Sequence, residues 1–197
     1  MQRLEFVLLI DRREKSPLRF GEDATEWTTL RYGDYSIRAS NGNGEPHDFR
    51  NEIALERKSL PDLYASCSLG RDRFENELRA LATFERAAIV IEGSMAAIMM
   101  GIPHSRVHPN SVLGSLCSWF AQFDVAPIFC DSPETAARAV RKILTRYAAL
   151  KLVDLPRDDP DLRLDEAEHR IRKAIATVQR KAPEAVEEVE RLKRELE

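Results

Sequence analysis

Two apolar runs in this chain end abruptly in charge, and that limits what it can fold into. Phe6 to Ile10 runs straight into Asp11-Arg12-Arg13-Glu14, and Ile53-Ala54-Leu55 into Glu56-Arg57-Lys58-Ser59-Leu60-Pro61-Asp62. Short continuous apolar runs read as buried strands. A buried strand should not end in several charges unless they have partners or work, because taking charge out of water is costly. Two strands that each deliver carboxylates at one end point to a shared acidic pocket.

A pocket needs a core beneath it, and 197 residues with 43% hydrophobic side chains are enough to bury one. No apolar run approaches the length of a membrane span. The N-terminus lacks a signal-peptide pattern. The three cysteines, Cys67, Cys117 and Cys130, are widely spaced and form no Cys-x-x-Cys pair. The expected compartment is a reducing cytoplasm in a bacterial or phage-like setting, or a nucleus if the host is eukaryotic. The net charge of −3 excludes a generally basic surface. Contact with nucleic acid must then come from a local basic patch and be salt-sensitive.

Strand signals fall at residues 5–11, Trp27 to Leu30, Tyr35 to Ala39 and Glu52 to Lys58. The last two read as hairpin arms joined by the turn-rich stretch Ser40 to Pro46. Ser59 opens a helix with Pro61 in its first turn. Residues 71–84 form an amphipathic helix with Phe74, Leu78, Leu81 and Ala82 on one face. Then follow a strand at Ala87 to Ile91, a short helix or loop at Met95 to Met100, a helix capped at Asn110-Ser111, a strand at Ile128-Phe129 and a helix from Ser132 to about Leu150. This alternation predicts an α/β layered domain over residues 1–152. Residues 153–197 read as a Pro-Arg-Asp-Asp-Pro linker and two helices, either docked on their own domain or contacting a partner. His104 and His108 fall beside prolines and read as loop residues. Trp119, Phe120 and Phe123 read as core or interface.

Asp11, Glu14, Asp34 and Glu56 all fall next to strand ends or turns. Carboxylates gathered in one site resist ionising together unless a cation is present. Mg²⁺ takes hard oxygen ligands, commonly carboxylates plus a substrate phosphate, so a phosphodiester is the natural substrate. Strand alternation puts Glu56 and Lys58 on one face, about 7 Å apart along the chain, with Arg57 on the other. Arg57 therefore suits an ion pair. Asp62 is a helix cap or a partner for Arg57, and Glu14 is a site residue or a partner for Arg12 or Arg13. Arg71, behind Gly70 at a helix start, reads as a phosphate contact or a solvated side chain.

In order, Asp11-x-Arg13-Glu14, Gly33-Asp34-Tyr35, Glu56-Arg57-Lys58-x-x-x-Asp62 and Gly70-Arg71 resemble the motifs of the XPF-type nuclease domain. The resemblance covers roughly residues 5–150. It implies a restriction-endonuclease-like fold, a central mixed sheet flanked by helices, with a C-terminal helical appendage. It also implies Mg²⁺- or Mn²⁺-dependent endonuclease action on branched, flap or fork DNA in repair, recombination or replication. By motif position Asp11, Asp34 and Glu56 would bind metal and Lys58 would be the catalytic lysine. Arg13, Glu14, Arg57 and Asp62 would complete the site, with Arg71 and Arg13 meeting DNA. Larger members carry a helicase-like region ahead of this domain, and many end in tandem helix-hairpin-helix modules. Here a stand-alone domain is expected, since no glycine follows Gly114 to build such hairpins. A homodimer or a heteromeric partner is expected, with the C-terminal helices as the candidate contact. The rival reading is a non-catalytic DNA-binding scaffold for an active partner.

Overall fold

The computed structural model describes residues 4–42 and 45–152. The expected appendage at 153–197 lies outside the described residues. Among the described residues, seven strands form one mixed sheet: β1 (Glu5–Asp11), β2 (Thr25–Thr28), β3 (Tyr35–Ser40), β4 (His47–Asp48), β5 (Ile53–Ser59), β6 (Arg86–Glu92) and β7 (Ala126–Cys130). The spatial order is β2-β1-β3-β5-β6-β7, with the two-residue β4 beside β3. β1 is antiparallel to β3 and parallel to β2, β3 is antiparallel to β5, and β5, β6 and β7 run parallel.

Among the described residues, five helices cover the sheet: α1 (Leu60–Ser66), α2 (Arg71–Leu81), α3 (Met95–Met100), α4 (Pro109–Phe123) and α5 (Pro133–Leu152). Helices on both faces explain why β6 reads as unbroken Ala-Ala-Ile-Val-Ile. Alternation sorts that run: Ala88 and Val90 pack with Ile53, Leu55, Tyr35 and α5, whereas Ile89 and Ile91 pack with Leu63, Phe74, Leu78 and Trp119. Glu56 and Lys58 share their parity with Ala54 and so fall on the α2 side. Arg57 shares its parity with Leu55 and falls on the α5 side.

Several boundaries differ from expectation for local reasons. The second strand lies at Thr25–Thr28, where it pairs with β1, not at Trp27 to Leu30. The arms β3 and β5 are antiparallel neighbours, but β4 intervenes and pairs with β3. α4 is capped by His108, whose Nδ1 accepts from the Asn110 N–H, with Pro109 in the first turn, so the cap lies ahead of Asn110-Ser111. Trp119 is fully buried and stacks edge-to-face on Phe74, while Phe120 is exposed.

Candidate active site

The backbone brings the motif acids together before any side chain acts. The Asp34 N–H donates to the Leu55 carbonyl, and the Asp34 carbonyl accepts from the Asp11 N–H, both at 2.9 Å. One residue thus ties β1, β3 and β5 at their charged ends. Gly33 makes this possible. It sits at φ +76°, and a Cβ there would come within 3.1 Å of the Ala54 Cβ and 3.2 Å of the Leu55 carbonyl oxygen. That is the physical content of the Gly-Asp pair.

Asp11, Arg13, Glu14, Asp34, Glu56, Arg57, Lys58 and Asp62 all line one cavity of about 690 Å³. Their states differ. The Glu56 carboxylate is buried on the β5 face under α2. One oxygen accepts from Lys58 Nζ at 2.5 Å, and the other, Oε2, is buried with no hydrogen-bond partner. Burial first, then the charge of Asp34, pushes the Glu56 carboxyl well above its usual range, against the pull of Lys58. Burial likewise pushes Asp34 up to about 6, although its Oδ2 accepts the Arg57 N–H at 2.7 Å. Burial works to lower the Lys58 ammonium, but the charge and hydrogen bond of Glu56 outweigh it and hold the group above its usual range. The site is therefore a charged lysine beside two carboxyls that resist ionising together.

Asp11 is placed differently. Its Oδ1 accepts from the Arg13 N–H at 2.8 Å and from Arg13 Nε at 2.6 Å, and its Oδ2 accepts from the Leu30 N–H at 2.7 Å. Burial works to raise this carboxyl, but the bonds from Arg13 and Leu30 outweigh it and hold it below the ordinary range. Among the described residues, no three Asp, Glu, His or Cys side chains converge as a metal cluster. Arg13 holds both oxygens of Asp11, and Lys58 holds one oxygen of Glu56. The donor set nevertheless fits a hard cation, since a buried carboxylate oxygen without a partner beside a second strained carboxyl is what such an ion relieves.

Arg57 turns to the opposite face as alternation requires. It makes two bonds to Glu92 at 2.7 and 3.0 Å and lies 3.5 Å from Glu14. Its partner is thus Glu92 and not Asp62, and the partner of Glu14 is Arg57 and not Arg12 or Arg13. Asp62 stays at the N-terminus of α1, where it accepts from the Ser59 hydroxyl at 2.6 Å. Arg71 does not line the cavity. It pairs with Glu75 at 2.9 Å, donates to the Ser115 hydroxyl at 2.8 Å and lies over Trp119. Arg73, two residues on, takes the cavity position, with Asn76 and Glu77. The motifs do not mark these three. Their signal is the edge of the buried Phe74–Leu78–Leu81 stripe, which leaves 73, 76 and 77 on the flank of α2.

The ERCC4 domain matches this chain over residues 10–143. Solved structures that resemble it include two of one protein. XPF from Aeropyrum pernix is 18% identical with a TM-score of 0.55, over 80% of this chain and 68% of that one. The same protein in complex with DNA is 18% identical with a TM-score of 0.55, over 76% of this chain and 68% of that one. The chain matches no curated protein. The mixed sheet between helices is thus the restriction-endonuclease-like fold of the XPF nuclease domain.

Proposed function

Since the chain belongs to the ERCC4-domain family, we propose that it is a divalent-metal-dependent endonuclease that hydrolyses phosphodiesters in branched, flap or fork DNA. The observation that carries this reading is the unpartnered, buried Oε2 of Glu56 beside Asp34 and the Lys58 ammonium. Asp34 and Glu56 would hold the cation, and Asp11 would join them once Arg13 released it. Such a cation, Mg²⁺ or Mn²⁺, supplies a polarised phosphoryl oxygen and an activated water. Lys58 keeps a fixed positive charge at the cavity floor, where it offsets charge developing on a phosphate. The surrounding rim grips the backbone. Lys15, Arg31 and Arg73 come from three separate segments, line the same cavity, are exposed and carry no ion pair among the described residues. They fit DNA phosphates better than Arg71, which is already engaged. Repair, recombination or replication intermediates, met by a homodimer or a heteromeric complex, complete the reading.

The test is a panel of fork, flap, junction and linear duplex DNA with Mg²⁺ or Mn²⁺. Cleavage of the branched forms is expected, with a loss of about 100-fold or more in Asp34→Ala and Lys58→Ala. Cutting that survives both substitutions refutes the site. The second reading, a non-catalytic DNA-binding scaffold, is favoured by one observation: Arg13 holds Asp11 closed. Calorimetry separates the two, because a scaffold gives no heat with Mg²⁺ or Mn²⁺ and no cleavage.

A further inference from the structure

We propose that Glu77, with Phe74 one turn before it on α2, is the positioning clamp for Lys58, holding its ammonium over the cavity when Glu56 engages a cation. The inference rests on the nuclease reading and adds a residue that the motif set does not contain. Lys58 Nζ meets three groups: Glu56 Oε1 at 2.5 Å, Glu77 Oε2 at 4.0 Å and the Phe74 ring, 4.4 Å from its centroid. Phe74 and Glu77 are three apart on one helix, so they present to the same spot. The two holders differ in kind. Phe74 is fully buried and fixed by its edge contact with Trp119, so the ring face is a stationary platform for the ammonium. The Glu77 side chain is a third exposed and free to close the present 4.0 Å gap.

The need for a second acid follows from the competing demands on Glu56. Its Oε1 serves Lys58, and its Oε2 is the free oxygen. With a divalent cation held by that carboxylate, the Lys58 ammonium beside it would be repelled by like charge. Lys58 would then turn toward the nearest remaining negative charge. Among the described acids in ion-pair reach of Lys58 besides Glu56, that charge is Glu77. Glu77 thus sets where the lysine stands relative to the phosphate without touching the phosphate itself.

The test uses the full chain and two independent readouts. In a Glu56→Gln background without metal, Lys58 depends on Glu77 and Phe74. Adding Glu77→Gln, or separately Phe74→Leu to keep apolar volume while removing the ring face, is expected to raise Lys58 acylation by acetic anhydride several-fold, read by peptide mass spectrometry. In the otherwise native chain, Glu77→Gln is expected to lower kcat about tenfold while KM for DNA and the Mg²⁺ half-saturation point stay put. Unchanged Lys58 reactivity in both double variants overturns the clamp. So does a raised Mg²⁺ requirement in Glu77→Gln, which would make Glu77 a ligand instead. If the native chain cuts no DNA in the panel, the nuclease reading falls, while the acylation comparison still decides the clamp.

Discussion

Asp34→Asn tests the electrostatic account of the site most directly, because the substitution changes charge and almost no shape. The folded chain holds this carboxyl at about 6, against 3.8 when it is free in solution. The folded state therefore binds the proton more tightly than the unfolded one. Stability contributed by the proton is fully present below pH 3.8 and is lost as the pH rises through about 6. The full loss corresponds to about 3 kcal/mol. The cavity mouth is open to water and screens part of the field, so about 2 kcal/mol is the working figure. An Asn oxygen can still accept the Arg57 N–H, so little is given back. In EDTA at pH 8, Asp34→Asn is expected to melt about 4–8 °C higher than the native chain, at roughly 2–4 °C per kcal/mol for a domain of this size. The gap should close as the pH falls toward 4. Mg²⁺ should then stabilise the native chain and not the variant, by about 2.7 kcal/mol at a hundred times the dissociation constant. Calorimetric melts across pH 4–8 decide it. An Asn variant no more stable than the native chain at pH 8, or a gap indifferent to pH, refutes the reasoning.

Gly33→Ala forces a side chain into a left-handed turn already closed by Ala54 and Leu55, and should cost about 1–3 kcal/mol in urea unfolding. Arg57→Met strands the half-buried carboxylates of Glu92 and Glu14 and should cost about 3–5 kcal/mol by the same assay; adding Glu92→Gln should recover a substantial part. Arg31→Ala and Arg73→Ala should each lower the slope of log binding constant against log salt by about 1, measured by fluorescence anisotropy on fork DNA. Arg71→Ala should leave that slope unchanged and instead lower stability through its lost bonds to Glu75 and Ser115.

The opposed faces of Glu56 and Arg57 are legible in the chain alone, because a two-residue period needs no knowledge of neighbours. The helix cap at Ser59 and the buried stripe of α2 are legible for the same reason: each is a local pattern. Partner choice is not local. Arg57 finds Glu92 because β5 and β6 run parallel in a register that sets Ser59 opposite Glu92, 33 residues along, and no spacing rule supplies that register. Glu77 and Arg73 escape notice because their role depends on where α2 is laid across the sheet. The Arg13 grip on Asp11 is short-range, yet it competes with the metal role that the motif implies, and charge pattern alone does not rank the two. His108 takes the cap of α4 because its imidazole reaches the Asn110 N–H, a substitute for the usual hydroxyl or carboxylate that composition does not advertise.

Asp34 knots β1, β3 and β5 through its main-chain N–H and carbonyl. The spacing of the acids is consequently set in part by main chain, and an Asp34→Asn exchange, which keeps an oxygen for the Arg57 N–H, should not loosen the scaffold. A chain disarmed at Asp34 should keep its shape and its cationic rim, which would make it a decoy able to capture and retain whatever nucleic acid the intact cavity accepts.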